Sequence, residues 1–225
     1  MKHIDLIRKH QGEYISRKQP TLMEVAPAHY LVVAGRGEPA PASLRSAAER
    51  LLRSGAVVQA LHRAAGHDFA LPPLELLIWS SPHKLWKLLL RMPESVGAAQ
   101  VKNAQDAQRV HSRTPRGVAL ERLDEGLCLQ VTAEAAAGSA LLLAKAQALG
   151  MRLGGPQHQI YAAGKQPLID PPSLIRHSLL GADGSMPEVG PRQHRTRARR
   201  EFAFREHVAP PPPRRPGGRS LKARA

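Results

Sequence analysis

The sequence predicts an α+β fold, with antiparallel sheets whose helices pack on one face and two β-α-β-β units related by a pseudo-two-fold axis. Three observations predict it. Short runs rich in Leu, Ile, Val and Trp are bounded by Pro and Gly and have strand length. Two longer segments repeat apolar residues at steps of three and four, the spacing of an amphipathic helix. The order strand, strand, helix, strand, strand occurs twice, over residues 21–92 and again over 118–180.

Residues 1–20 are polar and read as a lead-in segment with some helix. Leu22 to Val25 forms a short strand, Ala26-Pro27-Ala28 turns the chain, and His29 to Ala34 returns it. Gly35, Gly37 and Pro39 end that strand. Leu44, Ala48, Leu51, Val58, Leu61 and Ala65 line one face of a helix over 43–65, whose centre Gly55 weakens. Phe69 to Trp79 and Lys84 to Met92 then pair as a hairpin across Ser80-Ser81-Pro82. Trp86, Leu88 and Leu90 pack under the helix. Residues 94–112 form a weakly amphipathic connecting helix, stopped by Arg113-Thr114-Pro115-Arg116-Gly117.

The second unit runs through strands at 118–123 and 127–132, a helix over 139–149 closed by Gly150, and strands at 157–162 and 173–180. From Gly181 the composition changes. Residues 181–225 carry eleven Lys and Arg against four Asp and Glu, with runs such as PRQHRTRARR, and form a basic Pro/Arg-rich disordered tail.

The formal net charge of +15 favours contact with polyanions and says nothing about fold. The single cysteine, Cys128, excludes an internal disulfide framework and a multi-cysteine zinc site, and as a mid-strand residue it reads as a buried inert thiol. No histidine pattern has metal-ligand spacing, so neither a metal nor another cofactor is expected. No segment approaches the ~20 apolar residues of a membrane span, and the start lacks a signal-peptide run. The expectation is a cytoplasmic protein without a membrane partner.

One residue breaks the apolar pattern. Glu75 lies inside LPPLELLIWS, where a carboxylate facing a dry core is costly. Strand side chains alternate, so Leu74, Leu76 and Ile78 share a core face while Glu75, Leu77 and Trp79 share the other. That second face is either wet or receives something that tolerates negative charge.

The runs LMEVAPAHYLVVAGRGEP, LPPLELLIW, WKLLLRMP, GLCLQV and HQIYAAG…PPSLIRHSLL, in this order over residues 5–180, resemble the gyrase-inhibitor-like (GyrI-like) small-molecule-binding proteins. The resemblance implies a ligand groove between the two units, holding hydrophobic and often cationic compounds. Glu75 falls on the glutamate of the family's PLEGLW-like run, with Leu76 in place of its glycine. The family's HxEIY segment corresponds to Gln157-His158-Gln159-Ile160-Tyr161, so Tyr161 survives and the glutamate has become Gln159. A His-x-Gly-x-Tyr-like segment is replaced by Ala133-Glu134-Ala135-Ala136-Ala137. His158, one residue from Gln159, is expected to point the other way, at the surface.

The expected function is therefore binding of an amphipathic, in some cases cationic, small molecule by Glu75, Leu77, Trp79, Gln159 and Tyr161. The alternative the resemblance offers is a hydrolase of reactive cyclopropane-type toxins. It would rest on Glu75 as base and Tyr161 as proton donor, but Gln159 cannot exchange a proton at neutral pH. A third reading is nucleic-acid association through residues 181–225, whose Lys and Arg can neutralise phosphates without a fold.

Overall fold

A computed structural model describes residues 2–80, 84–111, 117–133, 137–167 and 169–187. Most of the basic tail, from residue 188 onward, lies outside the described residues, as does the expected turn at 81–83. In chain order the elements are β1 (Lys2–Ile4), α1 (Leu6–Lys9), α2 (Gln11–Tyr14), β2 (Thr21–Val25), β3 (Ala28–Arg36), α3 (Pro41–Ala64), β4 (His67–Phe69) and β5 (Leu74–Trp79). There follow β6 (Leu85–Met92), α4 (Ala98–His111), β7 (Ala119–Leu123), β8 (Gly126–Thr132), α5 (Ala137–Ala148), β9 (Arg152–Ile160) and β10 (Leu174–Leu180). No helix among the described residues is long and apolar enough to cross a membrane.

The fold is α+β. Eight strands join in the order β2-β8-β10-β9-β5-β6-β3-β7, with every neighbouring pair antiparallel. Where two sheets were expected, β5 and β9 pair directly, Glu75 opposite Ile160 and Leu77 opposite His158, and fuse the strands into one. β1 and β4 form a separate parallel pair, which the short polar runs around them did not signal. Pro72 and Pro73, which lack backbone N–H groups, separate β4 from β5 where a single strand was expected.

Strand alternation divides the sheet into two faces. On one, Leu31, Val33, Leu74, Leu76, Trp86, Leu88 and Leu90 pack against Leu44, Ala47, Leu51 and Val58 of α3. Val101 and Ala104 of α4 join the same core. Leu129, Val131, Ile175 and Leu179 form a second core with Leu142 and Ala146 of α5. Each buried Leu or Val contributes about 1.5–3 kcal/mol relative to an exposed one. α3 opens on Pro41, whose missing N–H costs nothing in the first turn. Its buried stripe runs Leu44, Ala47, Leu51, Gly55, Val58 and His62, so Leu61 and Ala65 point outward instead of continuing the expected face. Gly55 lies on this stripe because a Cβ there would come within 2.6 Å of Leu90 Cδ2, so close approach replaces the weak centre read from sequence.

The other face carries Tyr30, Val32, Leu77 and Leu89, a smaller apolar cluster with Trp79 and Leu123 beside it. Residues of the lead-in lie across this face. The carbonyl of Arg17 accepts from Thr132 N–H at 2.9 Å, and that of Ile15 accepts from Gln130 Nε2 at 3.2 Å.

Gly35 in β3 is paired with Trp86, and a Cβ on it would lie 2.1 Å from the indole ring. Gly35→Ala is expected to destabilise the fold by about 1–3 kcal/mol through overpacking, measured by urea unfolding followed at Trp86. A stability equal to the parent would show that the ring has room to move.

A buried charge network on the sheet face opposite the helices

The central strands each bring one polar or charged side chain to the face turned away from α3 and α5: Glu75 from β5, Arg91 from β6, His158 from β9 and Arg176 from β10. Register places them as neighbours, with Arg176 opposite His158, and His158 opposite Leu77, two residues from Glu75. Tyr14 from α2 and Glu125 from the β7–β8 turn complete the group. Glu75 is 1% exposed, His158 0% and Arg176 1%, so these charges are out of water and depend on one another.

The side chains form a continuous chain of contacts. Tyr14 Oη donates to Glu75 Oε1 at 2.8 Å. His158 Nε2 lies 2.8 Å from Glu75 Oε2, and its Nδ1 lies 2.9 Å from Glu125 Oε1. The Nδ1 contact is an aligned hydrogen bond. The Nε2 contact is close but off the hydrogen-bond direction, so charge holds it. Arg176 donates from Nη1 to Glu125 Oε2 at 2.9 Å, from Nε to Gln130 Oε1 at 2.9 Å and from Nη2 to the Glu13 carbonyl at 2.7 Å. Arg91 Nη1 donates to Glu13 Oε2 at 2.6 Å and to Tyr14 Oη at 3.1 Å.

Glu75 and Glu125 share His158, and Arg176 meets Glu125, so an imidazolium at His158 sets two cations against these two carboxylates. His158 Nδ1 hydrogen-bonds Glu125 and Nε2 lies within ion-pair distance of Glu75, an environment that favours the charged ring. Burial alone would lower the His158 pKa, but Glu125 and Glu75 outweigh it and push it up to about 9. Burial alone would raise Glu125, but His158 and Arg176 hold it down to about 2. Glu75 follows the same logic: burial works upward and is outweighed by His158, Arg176 and Arg91, so its carboxyl sits below the usual range. Burial, reinforced by Glu75, keeps the Tyr14 phenol well above its ordinary value, so it remains a donor.

This arrangement changes the placement of several expected residues. His158, expected at the surface, is the most buried member of the network. It shares a face with Leu77 because directly opposed strand residues project together. Leu77 is buried beside Tyr30, and Trp79 is half-buried next to it, with the Lys87 ammonium 5.9 Å from its ring centroid. Gln159 and Tyr161 lie on the helix side. Tyr161 Oη donates to Gln159 Oε1 at 2.8 Å, Gln159 Nε2 to Gln157 Oε1 at 2.7 Å, and Gln157 Nε2 to Ser139 Oγ of α5 at 3.1 Å. The expected group of five is thus split between two faces, and Glu75 and Tyr161 are not brought together as an acid–base pair. Cys128 is buried, and burial, followed by the Glu125 charge, pushes its thiol up to about 12.

Glu75, expected in an open groove, is buried and its carboxylate is met by Tyr14. A cavity of about 340 Å³ remains at the end of the β5–β9 pair. Leu6, Tyr14, Leu71, Ile160, Tyr161 and Leu174 are among its walls. Tyr14 therefore joins cavity and network, while Tyr161 reaches the cavity from the other side. The sequence held a signal for part of this. Arg91 in LLLRM and Arg176 in SLIRHSLL interrupt apolar strands just as Glu75 does, with opposite charge. Tyr14 and Glu125 carry no comparable mark, since they lie in polar surroundings.

Solved structures share the fold. A Listeria innocua protein named as a hydrolase is 23% identical, with a TM-score of 0.68 over 79% of this chain and 100% of its own. A second hydrolase of that organism is 24% identical, with a TM-score of 0.66 over 78% of this chain and 99% of its own. An uncharacterized conserved protein, also from Listeria innocua, is 22% identical, with a TM-score of 0.68 over 78% and 99%. No family model and no curated protein matches the chain.

Because the folded His158 pKa is raised, its contribution to stability is fully present below about pH 6.5 and is lost as pH rises through about 9. The unfolding midpoint is expected to fall across that window. His158→Gln, which leaves two buried carboxylates without their shared cation, should cost about 3–5 kcal/mol and flatten the dependence. Denaturant unfolding from pH 6 to 10 checks both; an equally steep decline in the variant would assign the titration elsewhere.

Proposed function

We propose that this chain is a divergent GyrI-like protein that binds an amphipathic, mainly apolar small molecule. The observation that carries the reading is the 340 Å³ cavity, walled by Leu, Ile and Tyr side chains and linked through Tyr14 to a buried polar network. Small-molecule sites are typically concave and apolar with a few placed polar groups, and this volume lies near the lower end of their range. The strand order supports the repeat on which the family likeness rests. It reads the same from either end when 21–92 and 118–180 are exchanged: β2 pairs with β8 as β7 pairs with β3, and β5 meets β9 at the centre.

Glu75 does not offer the ligand a free charge. Its carboxylate already faces His158 and Tyr14, so a cation would have to displace a partner to reach it. Affinity then comes from apolar burial, and a neutral ligand is favoured over a cationic one of equal size. Tyr161 keeps its expected part as a wall, joined by Tyr14; Leu77, Trp79 and Gln159 do not line the cavity.

A hydrolase is the second reading, favoured by one feature: the unbroken chain Tyr14–Glu75–His158–Glu125 leading from the cavity wall. Tyr14 would take the donor part first assigned to Tyr161. The lowered pKa of Glu75 makes its carboxylate a weak base, which places turnover of a strained-ring electrophile behind binding. Nucleic-acid association stays with residues 181–225 and predicts salt-sensitive binding lost on their removal.

A neutral naphthalene fluorophore and its trimethylammonium derivative test the main reading. The neutral probe is expected to bind in the micromolar range and at least as tightly as the cation. Ala162→Trp, at an exposed position on the cavity wall, should weaken it tenfold or more. Equal binding by this variant, or clear preference for the cation, would contradict the reading.

A further inference from the structure

We propose that the cleft between the amino-terminal helices and β2 binds a small oligophosphate, an anion of two or more linked phosphate groups. The cleft has a volume of about 790 Å³, within the range of small-molecule sites. It shares no lining residue with the apolar cavity, so the proposal does not depend on the small-molecule reading. Residues 8–13 and Arg17 line it on the lead-in side. Thr21 of β2 and its register partner Gln130 of β8 line it on the sheet side.

The sign of the charge chooses the ligand. Arg8, Lys9 and Arg17 supply the cations of the wall. Arg8 and Arg17 are exposed, and their guanidinium groups meet no carboxylate among the described residues. Lys9 pairs with Glu94 at 3.3 Å with half of the lysine side chain exposed, a contact that contributes little. Of the two acids in the wall, Glu13 is committed to Arg91 at 2.6 Å, which leaves one acid, Glu24, to three cations. Burial, followed by the Arg91 charge, lowers the His10 pKa, so its ring is neutral near pH 7 and adds hydrogen-bonding capacity without charge. A concave surface dominated by one sign of charge concentrates ions of the other.

The arrangement of the cations selects linked phosphates. A guanidinium offers donors in a planar fork that matches phosphate oxygens. Arg8 belongs to α1 and Arg17 to the stretch between α2 and β2, so the two forks come from separate segments. Linked phosphate groups engage both at once, which a lone phosphate does less well. No Phe, Tyr or Trp is among the lining residues, so no ring stacks on a nucleotide base and the phosphate chain itself is what the cleft recognises. The wall is fixed before a ligand arrives. The Glu13 carbonyl accepts from Arg176 at 2.7 Å, and the carbonyls of Ile15 and Arg17 accept from Gln130 and Thr132. Binding therefore orders side chains and leaves the backbone as it stands.

The basic stretch after residue 188 also attracts polyanions, and variants confined to the cleft separate the two. Inorganic tripolyphosphate is titrated into the full chain by calorimetry at about 100 mM salt, where distant exposed charges are screened. It should bind one-to-one in the micromolar range, and orthophosphate at least tenfold more weakly. Arg8→Gln with Arg17→Gln should lower tripolyphosphate affinity tenfold or more and leave the urea midpoint unchanged, since both side chains are exposed. Arg45→Gln with Arg122→Gln removes the same charge from exposed positions outside the cleft and should change affinity less than twofold. Absence of tripolyphosphate binding would overturn the proposal. So would an affinity that the cleft variant leaves intact, which assigns the anion to the basic tail, or equal losses in both double variants, which assign it to net charge. Orthophosphate binding as tightly as tripolyphosphate would contradict contact from two segments. A twelve-nucleotide single strand whose affinity falls tenfold in the cleft variant while that of tripolyphosphate does not would make the cleft a nucleic-acid contact instead.

Discussion

The fold turns on one buried cation shared by two carboxylates. His158 stands between Glu75 and Glu125 with essentially no exposure, and each of its ring nitrogens faces an oxygen. Isolated, any of these three groups would be expelled to water or neutralised by a proton. Together with Arg176 and Arg91 they close a network whose charge balances. That balance lets the centre of an eight-strand sheet carry charged side chains on one face and a leucine-rich core on the other. It also ties the amino-terminal helices to the sheet, since Tyr14 and Glu13 supply the last partners of Glu75, Arg91 and Arg176.

A site that has satisfied its own charge interacts differently from an open acidic groove. The energy of Glu75 is already committed to His158 and Tyr14, so ligand selection passes to shape and apolar area at the neighbouring cavity. Buried networks of this kind are weak evidence for net stability, because desolvation offsets much of the attraction. Their stronger effect is geometric: each side chain has one arrangement in which every partner is met. The cavity beside Tyr14 is thereby held between a fixed polar wall and the loops around Leu71 and Tyr161.

Much of the architecture was legible in the sequence because period-two and period-three-to-four patterns report burial directly. The long helix, the β5–β6 hairpin and the helix-side packing of Trp86 follow from such patterns. By contrast β2 and β3, and likewise β7 and β8, read as strands turning back on each other, do not pair: β2 joins β8, and β3 lies between β6 and β7. Two kinds of feature were not legible. The fusion of the strands into one sheet depends on β5 meeting β9 across eighty residues, which no local pattern encodes. The network depends on which side of β9 faces which side of β5. The resemblance puts Gln159 in one groove with Glu75, whereas register sets Ile160 opposite that acid, Gln159 opposite Leu76 on the helix side, and His158 on the acid's face. Glu75 was correctly marked as a residue that an apolar strand must explain. The rest of its network comes from β6, β9, β10, a turn and the lead-in, and of these residues only the two arginines are marked by interrupting apolar strands.

The charge state of His158 is the most direct test of this picture. Nitrogen-15 NMR of the ring, assigned by loss of its signals in His158→Gln, reports Nδ1 and Nε2 separately across pH. The account predicts both nitrogens protonated at pH 7.5, with deprotonation centred near 9. A neutral ring at pH 7.5, with one nitrogen bare, would mean that Glu75 and Glu125 are not joined by a shared cation, and the balance on which the face is built would not exist.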